Sequence, residues 1–288
     1  LETDERTLLK QTPVLGGYEP EAYIQERAWV AARDGTSVPV SVVRSADVPM
    51  DGTAAMLLYA YVSYEVSVPV RFSIPRLSLM DRGVVYAFAH VRGGGEMGKS
   101  WYTGGKFANK VNTFTDLVDA AAGMARQGFC DPDRIAIRGA SAGGLTVGAA
   151  LNIAPESFAA VVAEVPFVDV VNTMLDSSLP LTVVEWEEWG NPAIETEYRW
   201  MRAYAPYENV IAADYPPILA TAGLNDPRVS FWEPAKWAQL LRSETTSQNE
   251  VLLKTEMTAG HFARSGRYDI WKDEALVLAF VLTRLGIH

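Results

Sequence analysis

The stretch RIAIRGASAGGLTVGAAL, residues 134–151, changes its character in the middle. Residues 134–138 read as a short buried strand and residues 141–151 as a helix of small residues. At the junction stands Gly139-Ala140-Ser141-Ala142-Gly143, a G-x-S-x-G pattern. A serine on a sharp strand-to-helix turn has its hydroxyl lifted clear of the sheet, and the turn is so tight that its neighbours must be small. Here every residue from 139 to 144 other than Ser141 is Gly or Ala. The pentapeptide alone recurs by chance; the strand before it and the helix after it give it meaning.

Outward from this point the chain alternates apolar runs with helical spacing, which predicts an α/β architecture with a mostly parallel central sheet flanked by helices. Strands are expected at 54–61, 84–90, 159–165, 217–222 and 250–255. A hairpin is expected from 27–32 and 38–44 around Asp34-Gly35. Helices are expected at 75–82, from Thr113 to a stop at Gly128, at 235–241 and at 272–285. Residues 166–215 break the alternation with Pro166, Pro180, Pro192 and Pro206, and are expected as loops and irregular helices over the sheet. There is no internal repeat.

A serine hydroxyl needs a base to take its proton and an acid to orient that base. On this kind of turn the chain order is Ser, then Asp or Glu, then His. Two histidines follow Ser141, and His288 is the terminal residue, which leaves His261, in TAGHFARSG after the 250–255 strand. Asp226 in GLNDPR, just past the 217–222 strand, is the best-placed acid; Asp169, Asp176, Asp214, Asp269 and Asp273 are placed less well. Acyl transfer also needs donors for a developing oxyanion. The backbone N–H of Ala142 is one; the other is expected from the loop at 59–64. His90 with Arg92-Gly93-Gly94-Gly95 lacks both G-x-G-x-x-G and the Walker lysine, and reads as a tight loop beside the site.

Composition removes other classes. With 35 acidic and 25 basic residues the formal net charge is -10, the wrong sign for binding nucleic acid. The longest apolar run near the C-terminus, 275–282, is far too short to span a membrane. The first fifteen residues carry no signal-peptide pattern. One cysteine, Cys130, and three histidines are too few for a metal cluster, so no metal and no cofactor is expected. The cysteine count fits a reducing, cytoplasmic compartment.

These residues match a known family. RLSLMDRG (76–83), AHVRGGGEMG (89–98), WYTGGKFANKVNTFTD (101–116), EVPFVDVVNTMLD (164–176), EWEEWGNP (185–192) and GLNDPRVSFWEPAKW (223–237) make the chain resemble the catalytic domain of the oligopeptidase B, or protease II, group of the prolyl oligopeptidase family of serine peptidases. The resemblance runs from about Gly16 to the end and implies an α/β-hydrolase fold. It implies Ser141 as nucleophile, Asp226 as orienting acid, His261 as base, and the Tyr61 phenol with the Ala142 amide as oxyanion donors. It also implies that Arg228 binds substrate backbone near P2, and that Glu185 and Phe167, with Glu187 as a helper, receive a P1 Arg or Lys. The physics of the segment agrees: residues 181–198 hold five glutamates and no basic residue, beside Trp186 and Trp189. A guanidinium wants both a carboxylate and a flat apolar face.

The sequence departs from the family pattern at Ala60, Val62 and Glu65, where glycines are usual, and at Phe262 after the histidine, where small residues are usual. Each is expected to crowd a loop bordering the site. The expected function is a serine endopeptidase cleaving short basic peptides after Arg or Lys; an esterase, an acylaminoacyl or prolyl peptidase, and an inactive interaction module are the alternatives. Residues 1–25 resemble the last strand of the family's N-terminal β-propeller and its linker, and residues 26–288 the catalytic domain. The propeller, absent from these 288 residues, is thus an expected partner within a longer polypeptide.

Overall fold

The fold is seen in a computed structural model that describes residues 6–11, 13–69, 71–262 and 266–287. Residues 1–5 and 12 of the expected linker, and His288, lie outside the described residues. Eight strands form one sheet: β1 (Tyr23–Ala31), β2 (Ser37–Ser45), β3 (Met56–Tyr59), β4 (Val85–Ala89), β5 (Ile135–Ala140), β6 (Ala160–Glu164), β7 (Ile218–Gly223) and β8 (Val251–Glu256). Their order is β1-β2-β4-β3-β5-β6-β7-β8. β1 pairs antiparallel with β2 and β2 with β4; every later pairing is parallel.

The runs that read as buried strands are buried on both faces, as parallel strands must be. Alternate residues serve two cores. Met56, Leu58, Val85, Ala87, Val161 and Ala163 face one side; Leu57, Tyr86, Phe88, Ala160 and Val162 face the other. The first core is covered by the long helices α3 (Val111–Arg126), α4 (Ala142–Ile153) and α8 (Trp232–Glu244), which follow α1 (Ile74–Met80) and the short α2 (Lys99–Thr103) in the chain. The second is covered by α1 and α9 (Arg267–Arg284). Helix α9 starts five residues ahead of the expected 272. Its first turn presents Tyr268, Ile270 and Trp271 to solvent, so it carries no amphipathic signal there.

The proline-punctuated segment holds three short helices, α5 (Val170–Leu175), α6 (Thr182–Trp189) and α7 (Glu195–Arg202). Together they form a third core in which Phe167, Met174, Trp189, Met201 and Tyr204 pack against Phe114 of α3 and Leu145 of α4. This cap therefore sits beside the start of α4, where Ser141 is.

Candidate active site

β5 ends at Ala140 and α4 begins at Ala142, so Ser141 alone makes the turn, at φ 57° and ψ -119°. Such a backbone costs about 1–3 kcal/mol and persists only where its surroundings enforce it. They do: Ser141 N donates to Glu164 O at 2.8 Å, and Ser141 O accepts from Leu145 N at 3.1 Å and Phe167 N at 3.2 Å. A Cβ on Gly139 would stand 2.2 Å from Gly143 O, and one on Gly143 would stand 2.6 Å from Ala60 O. Glycine is the residue that lets strand, helix and the neighbouring loop approach this closely. The hydroxyl is thereby placed at the C-terminal edge of the sheet and at the positive end of α4.

Two other strand ends supply the partners. Asp226 follows β7 by three residues and His261 follows β8 by five. His261 Nε2 lies 3.0 Å from Ser141 Oγ, and His261 Nδ1 lies 2.7 Å from Asp226 Oδ2. A carboxylate only accepts, so this contact assigns the imidazole proton to Nδ1 and leaves Nε2 as the acceptor facing the hydroxyl. The carboxylate is itself fixed, because its other oxygen accepts from the N–H groups of Arg228 at 2.8 Å and Val229 at 3.0 Å. The Asp226 side chain has no exposed surface and that of His261 is 5% exposed. The geometry is that of a serine with a base and an oriented acid.

A cavity of about 290 Å³ opens beside Ser141. Its wall includes Tyr61, Ala142, Phe167, Glu185 and Arg228. Burial, and next the Glu185 charge, raise the Tyr61 phenol above its ordinary range, so it keeps its proton and remains a donor. Glu185 Oε2 accepts from the Trp189 indole N–H at 2.8 Å and from the Tyr64 hydroxyl at 3.1 Å. Both donors are neutral, and among the described residues Glu185 has no cationic side chain within ion-pair distance. Arg228 lies on the rim with its guanidinium 4.8 Å from the centre of the Phe262 ring.

One expected site residue is not brought to this wall. Glu187 is exposed and points away, because on α6 residues 185, 188 and 189 share a face and 187 does not. The buried acid there is Glu188, which pairs with Lys110 at 3.3 Å and accepts from Tyr102 at 2.6 Å. The departures noted in the sequence behave differently from one another. Ala60 and Val62 are buried without voiding the turn, and Glu65 adopts φ 59°, a left-handed conformation that explains why glycine suits the position. Phe262, 74% exposed, stands out beside the His261 ring instead of crowding it.

Sequence reasoning missed Tyr64, Lys110 and Glu233, and it expected Trp189 as a flat apolar face where the structure has it fully buried, donating to Glu185. Trp189 had a signal, lying one helical turn from Glu185. Glu233 of α8 is fully buried, and its carboxyl accepts from Val168 N and Asp169 N at 3.0 Å and from Thr173 Oγ1 at 2.8 Å. It thus ties down the loop carrying Phe167.

The strand order, with Ser141 on the turn after β5 and Asp226 and His261 on the loops after β7 and β8, defines an α/β-hydrolase. Within that class the family profile described as "Prolyl oligopeptidase family" matches residues 70–288. Relatives agree: dipeptidyl aminopeptidase BI of Pseudoxanthomonas mexicana is 48% identical over 286 residues, covering 99% of this chain and 39% of that protein. Protease 2 of Moraxella lacunata is 47% identical over 288 residues, covering 100% of this chain and 42% of that protein. The structure of oligopeptidase B from Leishmania major superposes with a TM-score of 0.96 at 45% identity, covering 99% of this chain and 40% of that one. The chain belongs to the prolyl oligopeptidase family of serine peptidases, and it spans about two-fifths of the length of these relatives.

Proposed function

We propose that this chain carries the catalytic machinery of a serine peptidase that cleaves short peptides after Arg or Lys through an acyl-enzyme. The observation that carries the reading is the line Ser141–His261–Asp226 opening on a cavity whose wall holds the uncompensated carboxylate of Glu185. In this mechanism Ser141 Oγ attacks the scissile carbonyl as His261 Nε2 takes its proton. The oxyanion is held by the Ala142 amide and the Tyr61 hydroxyl. His261 then returns the proton to the departing amine, and water repeats the sequence to release the acid. Glu185 receives the P1 cation, Phe167 gives its stem an apolar face while the fully buried Trp189 stands behind Glu185 and outside the cavity wall, and Arg228 holds substrate backbone near P2.

The test is an arginyl chromogenic peptide: turnover abolished in Ser141→Ala supports the reading, and turnover that survives the substitution refutes it. A second reading has its own support in the name of one relative, a dipeptidyl aminopeptidase. On that reading dipeptides leave from a free N-terminus, and blocking the substrate's α-amino group would stop cleavage. The proposal extends to residues 1–25 as the join to a propeller domain of the same polypeptide, supported by the relatives' extra length and by the exposed Leu8, Leu9 and Leu15. The single, buried Cys130 suits a cytoplasmic setting.

A further inference from the structure

Lys110 is an unusual residue for its place. It stands at the start of α3, is 1% exposed, and lies outside the cavity wall. Its ammonium donates to Ser63 Oγ at 3.0 Å, to Glu188 Oε1 at 3.3 Å and to Val62 O at 3.4 Å. It also sits 4.7 Å from the centre of the Trp189 ring. Two of these partners belong to the segment after β3 that carries Tyr61 and Tyr64, and two belong to α6, which carries Glu185. The two donors to Glu185 come from the same two segments, Tyr64 from one and Trp189 from the other.

We propose that Lys110 is a positioning residue for P1 selection, clamping α6 to the segment after β3 so that Tyr64 and Trp189 together aim Glu185 into the cavity. The inference rests on the basic-P1 reading above. A buried charge is an expensive way to join two segments, since an apolar pair of similar volume would serve stability as well. What the ammonium adds is direction: four contacts fix where Trp189 stands, and the Trp189 N–H fixes one oxygen of Glu185. It also balances Glu188, whereas Glu185 at the cavity has no ion-pair partner among the described residues.

Titration gives the clamp a signature. Burial lowers the Lys110 ammonium to about 8, against the pull of Glu188. The groups facing it are Glu188 of α6, Tyr102 of α2, Lys106 ahead of α3, and Tyr204 after α7, with Tyr64 behind the Trp189 ring. The phenols of Tyr64, Tyr102 and Tyr204 are all raised by burial, so none loses its proton near pH 8. As pH rises from 7 to 9.5, Lys110 loses its charge while these phenols stay protonated, and the clamp should loosen.

The readout is the ratio of kcat/KM for two peptides that differ only in Arg or Ala at P1, because the ratio cancels changes in Ser141 competence. In the wild type this ratio should fall about tenfold across that pH range. In Lys110→Met/Glu188→Gln, which removes both buried charges together, it should be at least tenfold lower at pH 7 and flat with pH. A wild-type ratio that stays constant to pH 9.5 overturns the inference, even where the double variant fails to fold. So does a folded double variant with an unchanged ratio. A wild type without Arg preference at pH 7 removes the basic-P1 reading and this inference with it, whereas a preference that is present but indifferent to pH removes the inference alone.

Discussion

Replacing Glu185 by glutamine removes a charge and almost nothing else. The carboxylate accepts from the Trp189 N–H at 2.8 Å and the Tyr64 hydroxyl at 3.1 Å through a single oxygen, Oε2. A glutamine carbonyl can stand there and accept both, with its NH2 turned to the cavity, so the wall should keep its shape. The loss is then the attraction between Glu185 and a P1 cation. At about 4 Å and an effective dielectric of ~20 that attraction is about 4 kcal/mol. The cavity is open on one side, which brings the expected loss to about 2–4 kcal/mol, or roughly 30-fold to 1,000-fold in kcat/KM. The assay is kcat/KM for Arg and Ala at P1 with all else equal, on wild type and Glu185→Gln. The Arg substrate should lose that factor while the Ala substrate changes less than about threefold. Equal losses on both would mean that Glu185 supports the fold of the site and does not read P1, and an unchanged Arg rate would remove it from recognition.

Ser141→Ala should lower kcat on any peptide by about 10⁴-fold to 10⁶-fold with the melting temperature little changed, as read by burst kinetics and calorimetry. Gly143→Ala sets a Cβ 2.6 Å from Ala60 O, so it should cost about 1–3 kcal/mol in denaturant unfolding and slow turnover by shifting Tyr61. Glu233→Ala leaves the Val168 and Asp169 N–H groups buried without acceptors and should cost about 2–4 kcal/mol, while Glu233→Gln should cost far less. Burial raises the Glu233 carboxyl to about 8, so the folded chain holds a proton that the unfolded chain releases above about 4.5. That contribution is full below the unfolded value and is lost as pH rises towards 8. The stability of wild type relative to Glu233→Gln, measured in denaturant, should therefore fall by about 1–4 kcal/mol from pH 5 to pH 8.

The central strands were legible because they are buried on two faces and so appear as unbroken apolar runs. Val84 to Ala89 serves two cores with alternate residues, which leaves no polar position to disguise it. Ser141 was legible because the crowding at Gly139 and Gly143 forces a composition that few other turns need. His261 and Asp226 were legible from strand order, since loops at the same edge of a parallel sheet converge. The start of α9 was not, because its exposed Tyr268, Ile270 and Trp271 carry no inward stripe. Nor was Glu188 separable from Glu187 in a run of acids until the phase of α6 was known. Lys110 had no sequence signal at all: a lysine before a helix reads as solvated, and its burial depends on the cap helix α6, more than seventy residues later in the chain.

A second serine, histidine and acid meet in this molecule, and they show what contact distances alone leave out. Ser41 Oγ is 2.8 Å from His90 Nε2, and His90 Nδ1 is 3.0 Å from Glu96 Oε1. By distance this rivals the Ser141 set. Yet Ser41 lies in the middle of β2, paired to β4 through extended backbone, where Ser141 stands directly before a helix. Ser41 is 8% exposed and His90 2% exposed, so a carbonyl carbon has no approach. Glu96 also accepts from Val68 N at 2.9 Å, which makes the trio a stitch between β4 and the loop after β3. Nucleophilic catalysis needs room for the reacting carbon about 3 Å from both the hydroxyl and the oxyanion donors, and of these two serines Ser141 is the one that lines a cavity, together with Ala142 and Tyr61. A fluorophosphonate should therefore label Ser141 and leave Ser41 untouched, and Ser141→Ala should abolish labelling of the folded chain; label recovered on Ser41 by mass spectrometry would show that access, not hydrogen bonding, had been misjudged.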